Sequence, residues 1–340
     1  MYANDTKPIN TRLGSAQAGL SRLMSAAALA MAGALIAPAA MAQANWAPDK
    51  PIRMVVPYPP GGGSDSVARS VTDALSAKLG QPIVVENRSG ANGAIGTQYV
   101  FNAPPDGYTL LMSSADTYSM YPPLYPKAGF VSEEFIAVAP AAKINFAIMS
   151  RGDLPAKNLD ELIALAKKKQ LTFGTWGHGS GAHIVMGLFT STAKIPDMLH
   201  VPYQGAAPVV QAAMAGQVDL VALPATLALS YRERLRSYGF ASRERLQALP
   251  EVPTFSEQGL PLLADAWVGI IAPPKTPAHI TATVAKAMNE VMADPGLQKK
   301  LNDLGIVPFS ATQDEFAAYL KKDYEFWGKT IRDAGIKIEN

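Results

Sequence analysis

Two glycine-rich segments carry the residues best placed to do chemistry. The first, Tyr58-Pro59-Pro60-Gly61-Gly62-Gly63-Ser64-Asp65, follows the apolar run Ile52 to Val56 and opens into an amphipathic pattern. The second, Thr175-Trp176-Gly177-His178-Gly179-Ser180-Gly181-Ala182-His183, precedes the apolar stretch Ile184 to Phe189. Glycines let backbone amides turn towards a common point, and the partial positive charge at a helix N-terminus favours a carboxylate or phosphate there. Both segments therefore read as anion cradles built from main-chain N–H groups and small hydroxyls.

The catalytic readings of these segments each fail on a particular residue. A phosphate-binding loop of the form G-x-x-x-x-G-K-[ST] needs a lysine that neither segment contains. A nucleophile elbow needs glycine at 178 and 182, where His178 and Ala182 stand. The dinucleotide fingerprint lacks its third glycine, because Ser64-Asp65-Ser66 follows Gly61-Gly62-Gly63. His178 and His183 have no cysteine or acidic neighbour to complete a metal set, so neither metal nor cofactor is expected.

Ordered amides at two helix N-termini can hold an anion without any titrating group, which makes binding the reading that fits. Ser64 and Ser180 also suit helix N-caps, and Asp65 suits a first-turn residue facing the dipole. Tyr58, Trp176 and Tyr203 stand at loop ends, where they serve as pocket walls or as core. An exported hydrolase or isomerase of a small acid is the alternative, and it would rely on His183 with Asp65 or Asp116.

Around these loops, short apolar runs alternate with helical patterns, as in an α/β protein with mostly parallel sheets. Val67, Val71, Leu75 and Leu79 recur at four-residue spacing until Gly80 and Pro82 stop the helix. A strand from Ile83 to Val85 leads to another glycine-rich loop ending Ser89-Gly90-Ala91-Asn92-Gly93, and Tyr108 to Met112 forms a further strand. Later come a helix over 207–215, strands over 218–222 and 267–272, and helices near 278–293, 295–303 and 312–334. In the last of these Phe316, Tyr319, Leu320 and Trp327 form an apolar face expected to cover the first lobe.

The N-terminal 42 residues read as a cleaved signal peptide. Lys7, Arg12 and Arg22 precede the apolar run Leu23 to Ala37, and cleavage is expected within 42–44, where Ala40-Met41-Ala42 has the small-x-small pattern. The formal net charge is only +2, with no basic stripe, so nucleic acid is not an expected partner. Lys167-Lys168-Lys169 reads as the solvated end of a helix. There is no cysteine, so an exported chain of this length must be held together by core burial.

In order along the chain, Val55-Val56-Pro57-Tyr58-Pro59-Pro60-Gly61-Gly62-Gly63-Ser64-Asp65, Glu86-Asn87-Arg88-Ser89-Gly90-Ala91-Asn92-Gly93 and Pro105-Asp106-Gly107-Tyr108-Thr109-Leu110-Leu111 resemble the Bug family of periplasmic solute receptors. The similarity continues through Gly177 to His183, Val201-Pro202-Tyr203-Gln204-Gly205-Ala206-Ala207-Pro208, Gly216-Gln217-Val218-Asp219, Pro250-Glu251-Val252-Pro253-Thr254 and Ala272-Pro273-Pro274-Lys275-Thr276-Pro277. The resemblance implies a monomeric two-lobe, Venus-flytrap receptor that closes on a carboxylate and hands it to the membrane permease subunits of a tripartite tricarboxylate transporter. A receptor feeding a signalling sensor is a second possibility. It implies one lobe from 46–143 plus 265–340 and another from 144–264. It nominates Tyr58, Gly61, Gly62, Ser64 and Asp65 as ligand-binding in the first loop, and Thr175, Trp176, Gly177, Ser180 and His183 in the second. Ser114, Asp116, Tyr203 and Gly205 join them. Trp176 stands where such receptors often carry a small residue, and Ala222-Leu223-Pro224 replaces a more polar stretch, so a simple amino acid is disfavoured and the ligand is expected to be a carboxylate with an apolar or aromatic body, a dicarboxylate or an aromatic carboxylate being the candidates.

Overall fold

The computed structural model describes residues 46–336, together with Met1 and Tyr2. Apart from Met1 and Tyr2, the expected signal peptide and its cleavage site lie outside the described residues. Among the described residues, no helix is long and apolar enough to cross a membrane.

The first sheet is seeded by β1 (Ile52–Val56), in which Ile52, Met54, Val55 and Val56 are buried. Helix α1 (Gly63–Leu79) returns along it, burying Val67, Val71, Leu75 and Leu79, and stops where Gly80 turns left-handed at φ 71° and donates its amide to the Ser76 carbonyl. Strand β2 (Ile83–Asn87) pairs parallel with one edge of β1, and after α2 (Ala94–Phe101) strand β3 (Thr109–Ser114) pairs parallel with the other. This strand runs two residues beyond the expected Met112, so Ser113 and Ser114 end a sheet strand. A π-helical turn, Asp116–Met120, follows directly.

Strand β4 (Ile136–Ile144) completes this run, and a single residue, Asn145, separates it from β5 (Phe146–Arg151) in the second sheet. The second sheet continues with α3 (Leu159–Lys168), β6 (Thr172–Thr175), α4 (Gly181–Thr192), β7 (Leu199–Pro202), α5 (Ala206–Met214), β8 (Leu220–Pro224), α6 (Ala225–Ser230) and β9 (Leu235–Phe240). The chain then returns to the first sheet through β10 (Ala266–Ala272), α7 (Ala278–Met292), α8 (Pro295–Asp303), β11 (Val307–Pro308) and α9 (Gln313–Asp333).

The sheet orders are β11-β4-β10-β3-β1-β2 and β7-β6-β8-β5-β9. In the first, β10 and β11 run against the other strands; in the second, only β5 does. Both sheets are thus mostly parallel, and β5 and β10, the strands by which the chain enters each sheet from the other, run in reverse. Helix α9 starts with a capping box between Thr312 and Glu315 and packs on β4, burying Phe316, Leu320 and Trp327. The Lys167 to Lys169 run is exposed at the end of α3, as its sequence suggests.

Candidate functional site

A cavity of about 430 Å³ lies between the ends of the two sheets, a volume suited to a small organic ligand. Its walls come from the loop after β1, the loop before α2, the end of β3, the start of β5, the loop after β6 and the start of α5. Of the nominated residues, Tyr58, Gly61, Gly62, Ser64, Ser114, Asp116, Trp176 and Gly205 line it.

The N-terminus of α1 faces this space without a side-chain cap. Its first helical bond runs from the Ser66 amide to the Gly62 carbonyl at 2.9 Å, so the preceding amides have no intrahelical acceptor. Asp65 does not line the cavity. Its carboxylate turns back to accept the Gly61 amide at 2.9 Å, Arg69 Nε at 3.0 Å and Asn87 Nδ2 at 2.8 Å. Burial works against ionisation of Asp65, but the bonds from Arg69, Gly61 and Asn87 outweigh it and hold the carboxyl below its usual range. Asn87 also donates to the Tyr58 carbonyl at 3.0 Å. Asp65 therefore shapes the loop, with Gly61 at φ 84° supplying the left-handed turn.

The other cradle is filled from within the chain. Ser180 caps α4, its Oγ accepting the His183 amide at 3.3 Å and donating to the Gly177 carbonyl at 2.8 Å. Asp116 crosses from the first sheet to accept the Gly181 amide at 3.0 Å, and both Asp116 and Trp176 line the cavity. Burial raises the Asp116 carboxyl above its usual range, against the lowering effect of the Gly181 amide, the Trp176 side chain and its own amide. Thr175 Oγ1 is bonded to Gly177 and lies 2.6 Å from His200 Nε2. Thr175, Gly177, Ser180 and His183 are not on the cavity wall, and neither is Tyr203, which packs with Val209 and Val218 around Gly174.

An open helix N-terminus opposite α1 belongs instead to α5, which begins without a side-chain cap after Gly205 at φ 111°. Residues Gln204 to Pro208 line the cavity opposite the α1 loop, and a Cβ on Gly205 would come within 3.3 Å of Pro59. The uncapped N-termini of α1 and α5 thus face one space, which the uncapped starts of α2, at Gly93, and α6, at Pro224, also border. Tyr58 and Ser114 are joined through their hydroxyls at 3.1 Å, and burial, with Asp116 nearby, keeps the phenol protonated far above its usual range. Trp176 stacks on Phe146 with centroids 6.1 Å apart and planes 22° apart, giving an apolar wall.

Sequence reasoning singled out the glycine-rich loop at 89–93 but missed Asn92 within it. Both amide atoms of Asn92 are buried without a partner, and Ala91 and Asn92 hold left-handed φ values of 46° and 53°. Glycines on both sides were the available signal, since Asn tolerates that conformation better than most residues. Gln204 and Tyr231, also on the wall, carry no comparable sequence signal.

His200 joins His178 and His183, bringing three imidazoles within 4.8 Å by their ligand atoms. Stacking decides against a shared ion. The His183 and His200 rings lie 4.4 Å apart with planes only 19° from parallel, so their in-plane lone pairs cannot meet on a metal about 2.1 Å away. His183 Nδ1 is moreover taken by the Gly179 amide at 3.1 Å. Burial and the neighbouring imidazoles push His183 down to about 4 and His200 down to about 3, so both are neutral.

Residues 67–336 match the tripartite tricarboxylate transporter family receptor model. The chain is 32% identical to protein BugT of Bordetella pertussis over 325 residues, covering 92% of this chain and 98% of BugT. It is similar in structure to MatC from Rhodopseudomonas palustris with bound malate (30% identity, TM-score 0.77, 84% of this chain and 99% of that one). It is likewise similar to R. palustris Rpa4515 with adipate (26% identity, TM-score 0.82, 85% and 99%). The chain belongs to the tripartite tricarboxylate transporter receptor family, whose members are solute-binding proteins and not enzymes.

Proposed function

We propose that this protein is a periplasmic receptor that captures a small organic carboxylate between two α/β lobes, 46–143 plus 265–340 and 144–264, and delivers it to the permease subunits of a tripartite transporter. The observation that carries the reading is that the uncapped N-termini of α1 and α5 face one cavity on whose wall, among the described residues, there is no lysine, arginine or histidine. An anion there is held by main-chain amides and by the Ser64 and Tyr58 hydroxyls, with helix dipoles supplying the positive potential. Excluding water as the lobes close strengthens each such bond.

Malate and adipate in the related structures support a carboxylate as the ligand's anionic group. The Trp176–Phe146 stack supports a body with an apolar or aromatic face. A thermal-shift panel of mono-, di- and aromatic carboxylates tests the ligand class, because a ligand that binds only the folded state raises the melting temperature. At least one carboxylate should raise it in a saturable manner; a panel without any such response contradicts the reading. Loss of uptake of that carboxylate on deleting the gene tests delivery.

A further inference from the structure

Asp116 is the one formally charged side chain on the cavity wall among the described residues, and it is only 6% exposed. The Gly181 amide donates to its carboxylate at 3.0 Å and holds it in place. In its ionised form, which the bond from the Gly181 amide favours against the opposing effect of burial, the Asp116 carboxylate offers about four lone-pair sites and donates nothing, so a ligand atom that meets it must bring a proton. With no cationic side chain on the wall, a second anionic group placed near Asp116 would meet an uncompensated like charge in a water-poor space. Asn92, on the same wall, keeps both its amide donor and its amide acceptor buried and unpartnered. That is the state expected of a group whose partner arrives with the ligand.

We propose that Asp116 is a charge filter: the ligand is a monocarboxylate, held by its anionic end at the α1 N-terminus, whose far end presents a hydrogen-bond donor, hydroxyl or ammonium, to Asp116. Dicarboxylates of equal length are rejected. The inference rests on the receptor reading above and narrows its substrate class. A hydroxyl would also accept from the Asn92 amide, whereas an ammonium only donates, so matched probes separate the two sources.

The test is calorimetric titration of the protein purified from the periplasm with two matched series. One compares 6-hydroxyhexanoate and 6-aminohexanoate with adipate, the other 4-hydroxybenzoate and 4-(aminomethyl)benzoate with terephthalate. In at least one series a donor-bearing monocarboxylate should bind at least tenfold more tightly than the dicarboxylate, and Asp116→Asn should shrink that ratio at least tenfold. A wild-type protein that binds the dicarboxylate as tightly as its donor-bearing counterparts overturns the filter without need of a variant. So does a folded Asp116→Asn protein that keeps the ratio within twofold. In both cases carboxylate binding itself survives, so the receptor reading stands; binding of no carboxylate at all overturns both.

Discussion

The Asp116 carboxylate accepts the Gly181 amide at 3.0 Å, and a Cβ at residue 181 would sit 2.6 Å from Asp116 Oδ1. A residue at the end of the first sheet thereby occupies the N-terminus of a helix on the second, and only glycine leaves room for it. The same contact fills the α4 N-terminus, whereas those of α1 and α5 carry no side-chain cap.

Gly181→Ala should expel Asp116 and lose this bond between the sheets, at a cost of about 1–3 kcal/mol. Urea unfolding of Gly181→Ala, Asp116→Asn and the double variant checks it. The double variant should be clearly less destabilised than the sum of the singles, whereas strict additivity would mean the two residues are not coupled.

Asp65→Ala removes the shared acceptor of the Gly61 amide and Asn87 Nδ2, both part-buried. We expect a loss of about 2–3 kcal/mol, read from the urea midpoint, because buried donors are left unpaired. Asp65→Asn, which keeps one acceptor oxygen, should lose less. Wild-type stability in Asp65→Ala would show that the carboxylate does not hold the loop.

Asn92→Gly should separate binding from folding. Its amide atoms have no partner among the described residues and glycine accepts the left-handed φ of 53°, so the change should alter stability by less than about 0.5 kcal/mol. The affinity for the preferred carboxylate should fall about five- to thirtyfold, in line with one lost hydrogen bond of roughly 1–2 kcal/mol. A stability loss with unchanged affinity would assign Asn92 to the loop's architecture.

Two sets of buried groups pull the pH dependence in opposite directions. His183 and His200 titrate near 4 and 3 in the fold, below the ordinary imidazole value of about 6.5, so the unfolded chain binds more protons and stability falls on acidification through that window. Asp323, buried beside Trp267 and accepting its indole N–H at 2.8 Å, is pushed up to about 6. There the folded chain holds the extra proton, and stability rises as pH falls from about 6 towards 4. Relative to wild type, Asp323→Asn should therefore lose melting temperature between pH 7 and pH 5, and His200→Gln should gain it. The discount for partial solvent exposure of the imidazoles keeps the histidine effect to about 1–2 kcal/mol. Parallel pH profiles for all three proteins would refute these assignments.

Features set by neighbouring residues were legible in the sequence. The α1 cradle follows from a glycine run between an apolar strand and a four-residue apolar repeat, and the Ser180 cap of α4 follows from Ser180 preceding a helical pattern. The filling of α4 by Asp116 was not, because the pair is 65 residues apart and meets only through tertiary structure. Strands β4 and β5 also escaped notice. The first is Ile-Ala-Val-Ala-Pro-Ala-Ala-Lys-Ile, whose alanines and proline have weak strand preference, and one asparagine divides it from the second. The role of Asp65 shows a further limit: a first-turn acid looks the same in sequence whether it faces a ligand or clamps its own loop.

The most direct test of the carboxylate-cradle account is an amide ¹H–¹⁵N titration with the carboxylate that gives the largest thermal shift. Amide protons of Gly62, Gly63 and Ser64 at α1, and of Ala206 and Ala207 at α5, should move downfield as they begin to donate to the ligand, while Gly181, already bonded to Asp116, should move little. A large downfield shift at Gly181 with silent α1 amides would contradict the account and return the ligand to the cradle at 175–183.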